Sequence, residues 1–366
     1  MWQTVDRLLD EGLEQGLFAG VAMVVRTPER EAFFAARGQA ELRPRRRPVR
    51  PDTAWDLASL TKVLGTTPLC LAMVGQGLLS LDAPVTDWIP DAPAGVTARH
   101  LLQHSSGLPA WAPLWQTIEA EGHTWGSAVA RSRMSQLARS APLEAPPGQR
   151  HRYSDLGFLL LGELLERAGG DRLDRLWERF VRAPAHLDLR WGWPEAAATE
   201  DCPARGQVVV GHVHDLNAAA MGGIAPHAGL FGSVRGVAAA VAVQLRSWAG
   251  EARVLEPALV QEAFSAPGPG SHRLGWDGVT PGACSAGPRW PLDGVGHLGF
   301  TGCSIWTAPR SGVAVVLLSN RVHPEIEGGA VPNAPLSPRY QAFRALRPAL
   351  HTAVVDALEA EGALLT

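Results

Sequence analysis

The chain has 366 residues, 46% hydrophobic and 19% charged, the balance of a globular protein with a sizeable core. Its 33 Lys and Arg against 36 Asp and Glu leave a formal charge of −3, so bulk electrostatics call for neither nucleic acid nor an anionic membrane. Four scattered cysteines, Cys70, Cys202, Cys284 and Cys303, make no Cys-x-x-Cys pair, which argues against a zinc site built on thiolates.

In chain order, Val5, Leu8, Leu9, Leu13 and Leu17 share one side of an amphipathic helix predicted over 3–16. The N-terminus has no apolar core of signal-peptide length. The most apolar later run, Val234 to Val243, contains Arg235 and is too short to cross a bilayer. The expectation is a cytoplasmic protein without a membrane span. Two strand-like runs, 18–26 and 31–38, flank Thr27-Pro28-Glu29-Arg30 and predict an antiparallel hairpin. A Pro/Arg-rich loop, 43–51, reads as solvated and leads into Trp55-Asp56-Leu57-Ala58-Ser59-Leu60-Thr61-Lys62.

A helix is expected to start at Ser59, with Val63, Leu64, Leu69, Leu71, Ala72 and Met73 buried. Ser59 and Lys62, three apart, share a helix face. The positive helix end favours a serine alkoxide and pushes the lysine toward its neutral amine, which makes a nucleophile–base pair. Ser-x-x-Lys alone is more often a helix cap followed by a surface lysine. Here Lys62 is the one charge between Asp56 and Asp82, and a lysine in so apolar a helix needs a reason.

Residues 78–93 read as a loop. From Thr97 to about 180 the pattern is helical, with helices expected after Thr97, over 124–140, 155–168 and 171–182, and with 183–228 irregular. Late strands are expected at 272–275, 296–299, 303–308 and 312–320, the last apolar on both faces and therefore central. Helices at 233–249, 255–264 and about 337–361 flank them. The N-terminal hairpin is too small to stand alone. The fold expected is therefore α/β (α+β): an antiparallel sheet flanked by helices, residues 1–95 and 230–366, with an α-rich insertion, 96–229, and the site where they meet.

Tyr153-Ser154-Asp155 opens the 155–168 helix, with Ser154 or Asp155 as cap. Its plain reading is a capping turn with a half-buried tyrosine; its functional reading is a phenol carrying protons near a lysine. Gly296 to Ser304 is a glycine-rich strand whose N–H groups suit a developing oxyanion. His212, His214, Asp215 and His227 offer metal-type donors, but no His-Glu-x-x-His accompanies them, and His100 and His104 lack the glutamate between them. The preferred reading of that segment is a loop near the mouth of the serine site, with Asp215 and Asn217 ordering it or meeting substrate, and no cofactor or metal is expected. Trp111, Trp115 and Trp125 suit an apolar cleft or the core.

Taken together, Ser59-Leu60-Thr61-Lys62, Tyr153-Ser154-Asp155 and His297-Leu298-Gly299 resemble the penicillin-recognising serine hydrolases. Among these the match is to the branch of class C β-lactamases, serine DD-peptidases and related esterases, whose signatures are Ser-x-x-Lys, Tyr-x-Asn and Lys-or-His-x-Gly. Thr97 to Leu108, Pro147-Gly148 and Gly299 to Gly302 carry the resemblance further, over roughly 5–362. It implies an acyl-enzyme on Ser59, proton handling by Lys62 and Tyr153, an oxyanion hole from the N–H groups of Ser59 and Phe300, and a pocket lined by His297 and Gly299. Substrates would be small esters, amides or D-amino-acid peptides. Two departures stand out. Asp155 replaces the asparagine and, when ionised, only accepts hydrogen bonds; it would hold Lys62 cationic and favour Tyr153 as base. His297 replaces lysine, so a partly charged imidazole would grip a substrate carboxylate less firmly.

Overall fold

The computed structural model describes residues 1–326 and 337–363. Its main sheet uses β1 (Gly20–Arg26), β2 (Glu31–Glu41) and β3 (Arg47–Pro48) from the start of the chain. Next in sequence come β4 (Trp55–Asp56), β5 (Leu189–Trp191), β6 (Asp201–Cys202), β7 (Gln207–Val208) and β8 (Leu230–Gly232). The late strands are β9 (Asp277–Gly278), β10 (Val295–Gly299), β11 (Cys303–Ala308) and β12 (Val313–Ser319). The seven-stranded order is β3-β2-β1-β12-β11-β10-β9, with the named pairs antiparallel.

Strand period two sorts the central residues onto two faces. Val21, Met23, Val25, Val313, Val315 and Leu317 meet the helices Gln3–Glu14 and Pro338–Ala360 through Val5, Leu9, Phe343, Leu350 and Val354. Ala22, Val24, Ala314, Val316 and Leu318 face the larger core, which continues into Leu60, Val63 and Leu64 and the helix Asp155–Gly169. Burial on both faces is why 313–319 reads as an unbroken apolar run.

Several short elements depart from the sequence reading. A helix Leu114–Ala120 and another at Leu216–Ala220 lie where none was expected. The stretch 183–228 contains β5, β6 and β7; two or three residues are too few for an alternation to register. Residues 272–275 make no strand. Gly275 turns the chain at φ 80°, and only a bridge from His272 to Asp277 leads into β9. The Arg-rich loop is partly anchored: Arg47 bonds Glu41 and the carbonyls of Glu195 and Ala196. Among the described residues no helix is long and apolar enough to cross a membrane.

Two close approaches fix the segment 226–232. Strand β8 lies between β4 and β5, pairing Asp56 with Phe231 and Trp191 with Leu230. Gly162, on the helix Asp155–Gly169, lets the segment at Pro226 come so near that an added Cβ would meet Pro226 Cγ at 2.6 Å. Pro226 O in turn accepts from Thr66 Oγ1 at 2.6 Å. Gly162→Ala should therefore lower stability by about 1–3 kcal/mol, the usual cost of overpacking, read from chemical denaturation. An unchanged midpoint would show that the Pro226 segment yields freely.

Candidate active site

The chain reaches Ser59 through a constrained turn. Asp56, 2% exposed, accepts the backbone N–H of Ala58 at 2.8 Å and of His214 at 2.6 Å. Burial pushes its carboxyl up, and those two N–H groups pull the other way. Ala58 takes φ 46°, a left-handed conformation that costs a non-glycine residue free energy. Ser59 then lies half-buried in the turn before Leu60, so the helix begins one residue later than expected. Lys62–Thr66 form a π-helical turn, a feature common at functional sites. Thr61 Oγ1 accepts Leu230 N–H at 3.1 Å and fixes the turn to β8.

Lys62 has no exposure. Its Nζ donates to Ser59 Oγ at 3.1 Å, Asp155 Oδ1 at 2.7 Å and the His227 carbonyl at 3.3 Å. It also lies 4.9 Å from the Tyr153 ring centroid and 5.4 Å from that of Phe158. Burial pulls the ammonium down, but Asp155 first and then Tyr153 outweigh it and raise its pKa above the ordinary lysine value. The shift toward a neutral amine expected from the helix end is thus reversed, and Asp155 holds Lys62 cationic, as its place in the Tyr-x-Asn pattern implied. Burial likewise pushes the Tyr153 phenol up, against the pull of Lys62 and Ser59, so the phenol keeps its proton. Ser154, not Asp155, caps the helix, its Oγ accepting Gly157 N–H at 2.9 Å.

The opposite wall is the end of β10. A Cβ on Gly299 would meet Leu57 O at 2.7 Å, so this strand passes directly against the approach to Ser59. Thr301 Oγ1 donates to Asp56 O at 2.8 Å, tying the Phe300 turn to the Ser59 turn. Arg321 bonds the Phe300 carbonyl at 2.6 Å, and the exposed Phe300 ring stacks on His214 at 5.4 Å. His297 is 3% exposed, its ring 5.9 Å from that of Tyr153. Ser59, Lys62, Tyr153, Asp155, His297, Gly299 and Phe300 therefore surround one spot.

His297 is not the partly charged residue expected. Burial first, then the Lys62 charge, lowers its pKa to about 3. Nδ1 donates to the Leu298 carbonyl at 2.9 Å, so the second nitrogen carries only a lone pair. Sequence reading gave its neighbours His151 and His272 no role in the site, and took up His104 only as an i,i+4 partner of His100. His151 Nε2 and His272 Nδ1 are 3.0 Å apart, and the His104 ring lies 4.3 Å from Tyr153. Burial, followed by neighbouring positive charge, lowers His104 and His272 well below the usual value.

His104, His272 and His297 offer ligand atoms within 4.8 Å of one another, the single such group among the described residues. The donor set does not suit a cation. Ser154 N–H donates to His104 Nδ1 at 3.0 Å, which leaves the ring proton on Nε2. The other four metal-type residues are dispersed. His227 pairs with Asp215 at 2.9 Å, His214 lies 3.3 Å from Glu200, and His212 is exposed. Asp215 caps Leu216–Ala220, and Asn217 bonds Trp115 N–H and the Ala112 carbonyl, so both order the loop.

Beyond that loop lies a cavity of about 680 Å³, walled by Trp125, Trp191, Val208, Val209, Val213 and Ile224, with Arg205 at its side. Trp191 is two strands from the Ser59 turn, and Val213 adjoins His214. Trp115 packs edge-on against Trp125, while Trp111 is exposed.

Comparison with known proteins gives consistent matches. A family model described as Beta-lactamase covers residues 5–333. An N-acetylmuramyl-L-alanine amidase of Bacillus subtilis (strain 168) is 28% identical over 370 residues, spanning 90% of this chain and 83% of the relative. Among solved structures, EstCE1, a hydrolase with promiscuous acyltransferase activity, aligns with TM-score 0.73 and 23% identity over 95% of this chain and 98% of that one. An octameric penicillin-binding protein homologue from Pyrococcus abyssi aligns at 0.68 and 20%, over 87% and 73%. These structural likenesses carry the fold.

A histidine with its pKa at about 3 is neutral throughout a working range of about pH 5.5 to 8.5. KM measured against pH for matched neutral and anionic substrates should therefore run in parallel. Weakening of the anionic substrate alone, as pH rises through 6 to 7, would show that His297 is charged.

Proposed function

The chain belongs to the beta-lactamase family, and from that membership we propose that this serine hydrolase cleaves small esters or amides through an acyl-enzyme on Ser59. One observation carries the reading: a fully buried ammonium, Lys62, held 3.1 Å from Ser59 Oγ. Such a contact stabilises an alkoxide as it forms, and burial strengthens it. The N–H groups of Ser59 and Phe300 face the carbonyl oxygen and take up its developing charge. Tyr153, a protonated phenol, donates to the leaving group. The cavity beside the loop 211–215, with its Trp125 and Trp191 walls and with Arg205, Gln207 and His212 also lining it, suits the acyl portion of a substrate.

Substrate preference follows from charge. Neutral His297 offers no permanent cation to a terminal carboxylate. Esters with neutral leaving groups are thus favoured over D-alanyl peptides and penicillin-like molecules. An amide activity stays in view because the Bacillus subtilis relative is named an amidase, and Tyr153 serves an amine leaving group equally. A catalytically silent peptide-binding or scaffold role is the competing reading.

Labelling with a fluorophosphonate separates these. Ser59→Ala should abolish labelling and p-nitrophenyl ester turnover while leaving thermal unfolding unchanged. Wild-type turnover in that variant would sink the assignment. Lys62→Met and Tyr153→Phe should each cost about 10²–10⁴-fold in kcat/KM. Because the two act as one unit, the double variant should be little worse than the poorer single one. Strictly additive losses would separate their roles.

A further inference from the structure

An ammonium has three N–H donors and no lone pair. Those of Lys62 already face Ser59 Oγ at 3.1 Å, Asp155 Oδ1 at 2.7 Å and the His227 carbonyl at 3.3 Å. In this state Lys62 donates to the serine oxygen and cannot take its proton. It becomes a base only by first giving a proton away. The surroundings leave one nearby recipient. His227 presents a carbonyl to Lys62, and its ring is turned to Asp215 at 2.9 Å. Tyr153 is itself protonated. His104 spends its one lone pair on Ser154 N–H. His272, with its partner His151, and His297 face the Tyr153 ring, 5.6 and 5.9 Å away between centroids. Asp155 Oδ1 makes the shortest of the three contacts and is a carboxylate oxygen, able to hold a proton covalently. The asparagine of the Tyr-x-Asn pattern that this stretch resembles could not take that role.

We infer that Asp155 is the proton acceptor of acylation, acting through Lys62. The inference rests on the acyl-enzyme reading above. One Lys62 N–H proton passes to Asp155 Oδ1, and the lone pair this frees on Nζ turns to Ser59. In the same motion Ser59 Oγ forms its bond to the substrate carbonyl carbon, its O–H bond breaks and the proton passes to that lone pair. The carbonyl π pair moves onto oxygen, facing the N–H groups of Ser59 and Phe300. Before the step the site holds an ammonium and a carboxylate; after it, an ammonium, a neutral carboxylic acid and the oxyanion, so charge is conserved. When the intermediate collapses, the C–O or C–N bond to the leaving group breaks and the leaving group takes the Tyr153 proton. Asp155 then returns its own through Lys62 to the phenolate. Asp155 never needs to touch the substrate: it sets where the serine proton goes.

Two measurements test this on a neutral p-nitrophenyl ester. The first is a proton inventory of kcat/KM for the wild-type enzyme in mixed H₂O and D₂O. Two protons in flight give a bowed, quadratic dependence; a linear one overturns the inference without any variant. The second compares Asp155→Asn and Asp155→Glu with the wild type. Loss of the carboxylate should lower kcat/KM by about 10²-fold, the scale of a lost proton acceptor, with KM little changed. It should also move the acid limb of the pH profile upward, because buried Lys62 must then shed its proton to solvent. Asp155→Glu should restore much of the rate and the bowed inventory. An asparagine variant with wild-type rate, pH limb and inventory would also overturn it. Fluorophosphonate labelling keeps the two readings apart. If the wild type is not labelled at Ser59, the acyl-enzyme reading fails. If it is labelled while the inventory is linear, only the role of Asp155 fails.

Discussion

A buried ammonium dictates most of what surrounds it. Lys62 has no exposure, and a charge taken wholly out of water persists only where opposite charge and acceptors replace its hydration. Its three acceptors come from three separated places: the turn at Ser59, the first residue of the helix Asp155–Gly169 and the carbonyl of His227. Each must be delivered to within hydrogen-bonding distance of one nitrogen. Glycine at 162 lets the Pro226-His227 segment close onto the helix, and Thr66 holds the carbonyl just before His227. Thr61 does the same for the Ser59 turn from β8. The packing of the α-rich part against the serine-bearing helix is thus tied to satisfying one cation.

The histidines around Tyr153 follow from the same cation. Burial is the main reason that His104, His272 and His297 stay unprotonated, and Lys62 adds repulsion. Charge at the centre is therefore confined to the Lys62–Asp155 pair, net neutral at rest. A negative charge that appears on a substrate oxygen is then the one unbalanced charge in the site. Preorganised donors act most strongly under that condition.

The sequence disclosed the site where its partners are close in the chain or where its residue types are unusual. Ser59 and Lys62 needed only helix spacing, and Tyr153 is one of just two tyrosines. The central strand 313–319 was visible because both its faces are apolar. Charge states were less legible, since they depend on contacts made across the fold. That Lys62 is held above its ordinary pKa requires knowing that Asp155 reaches it. That His297 is neutral requires its burial and the Leu298 carbonyl. Asp56 read only as the edge of the apolar run around Lys62, yet one of its oxygens accepts the N–H of strained Ala58 and the other that of His214, far along the chain. Short strands such as β5 and β8 have no period of their own; β8 is defined by pairing with β4 on one side and β5 on the other.

One pairing has a consequence for biosynthesis. Strand β1, near the start of the chain, lies in the middle of the sheet beside β12, with Val21 opposite Ser319. Contacts between such distant residues form slowly, because the intervening loop must close before they are rewarded. On the ribosome, the hairpin of β1 and β2 emerges early with one flank of its hydrogen-bonding edge unmatched. It must wait until β12 has been translated. Ser59 and Lys62 are likewise made long before Gly299 and Phe300. A nascent chain therefore carries a sticky strand but an incomplete pocket, and both are resolved by the same late event, the arrival of β10 to β12.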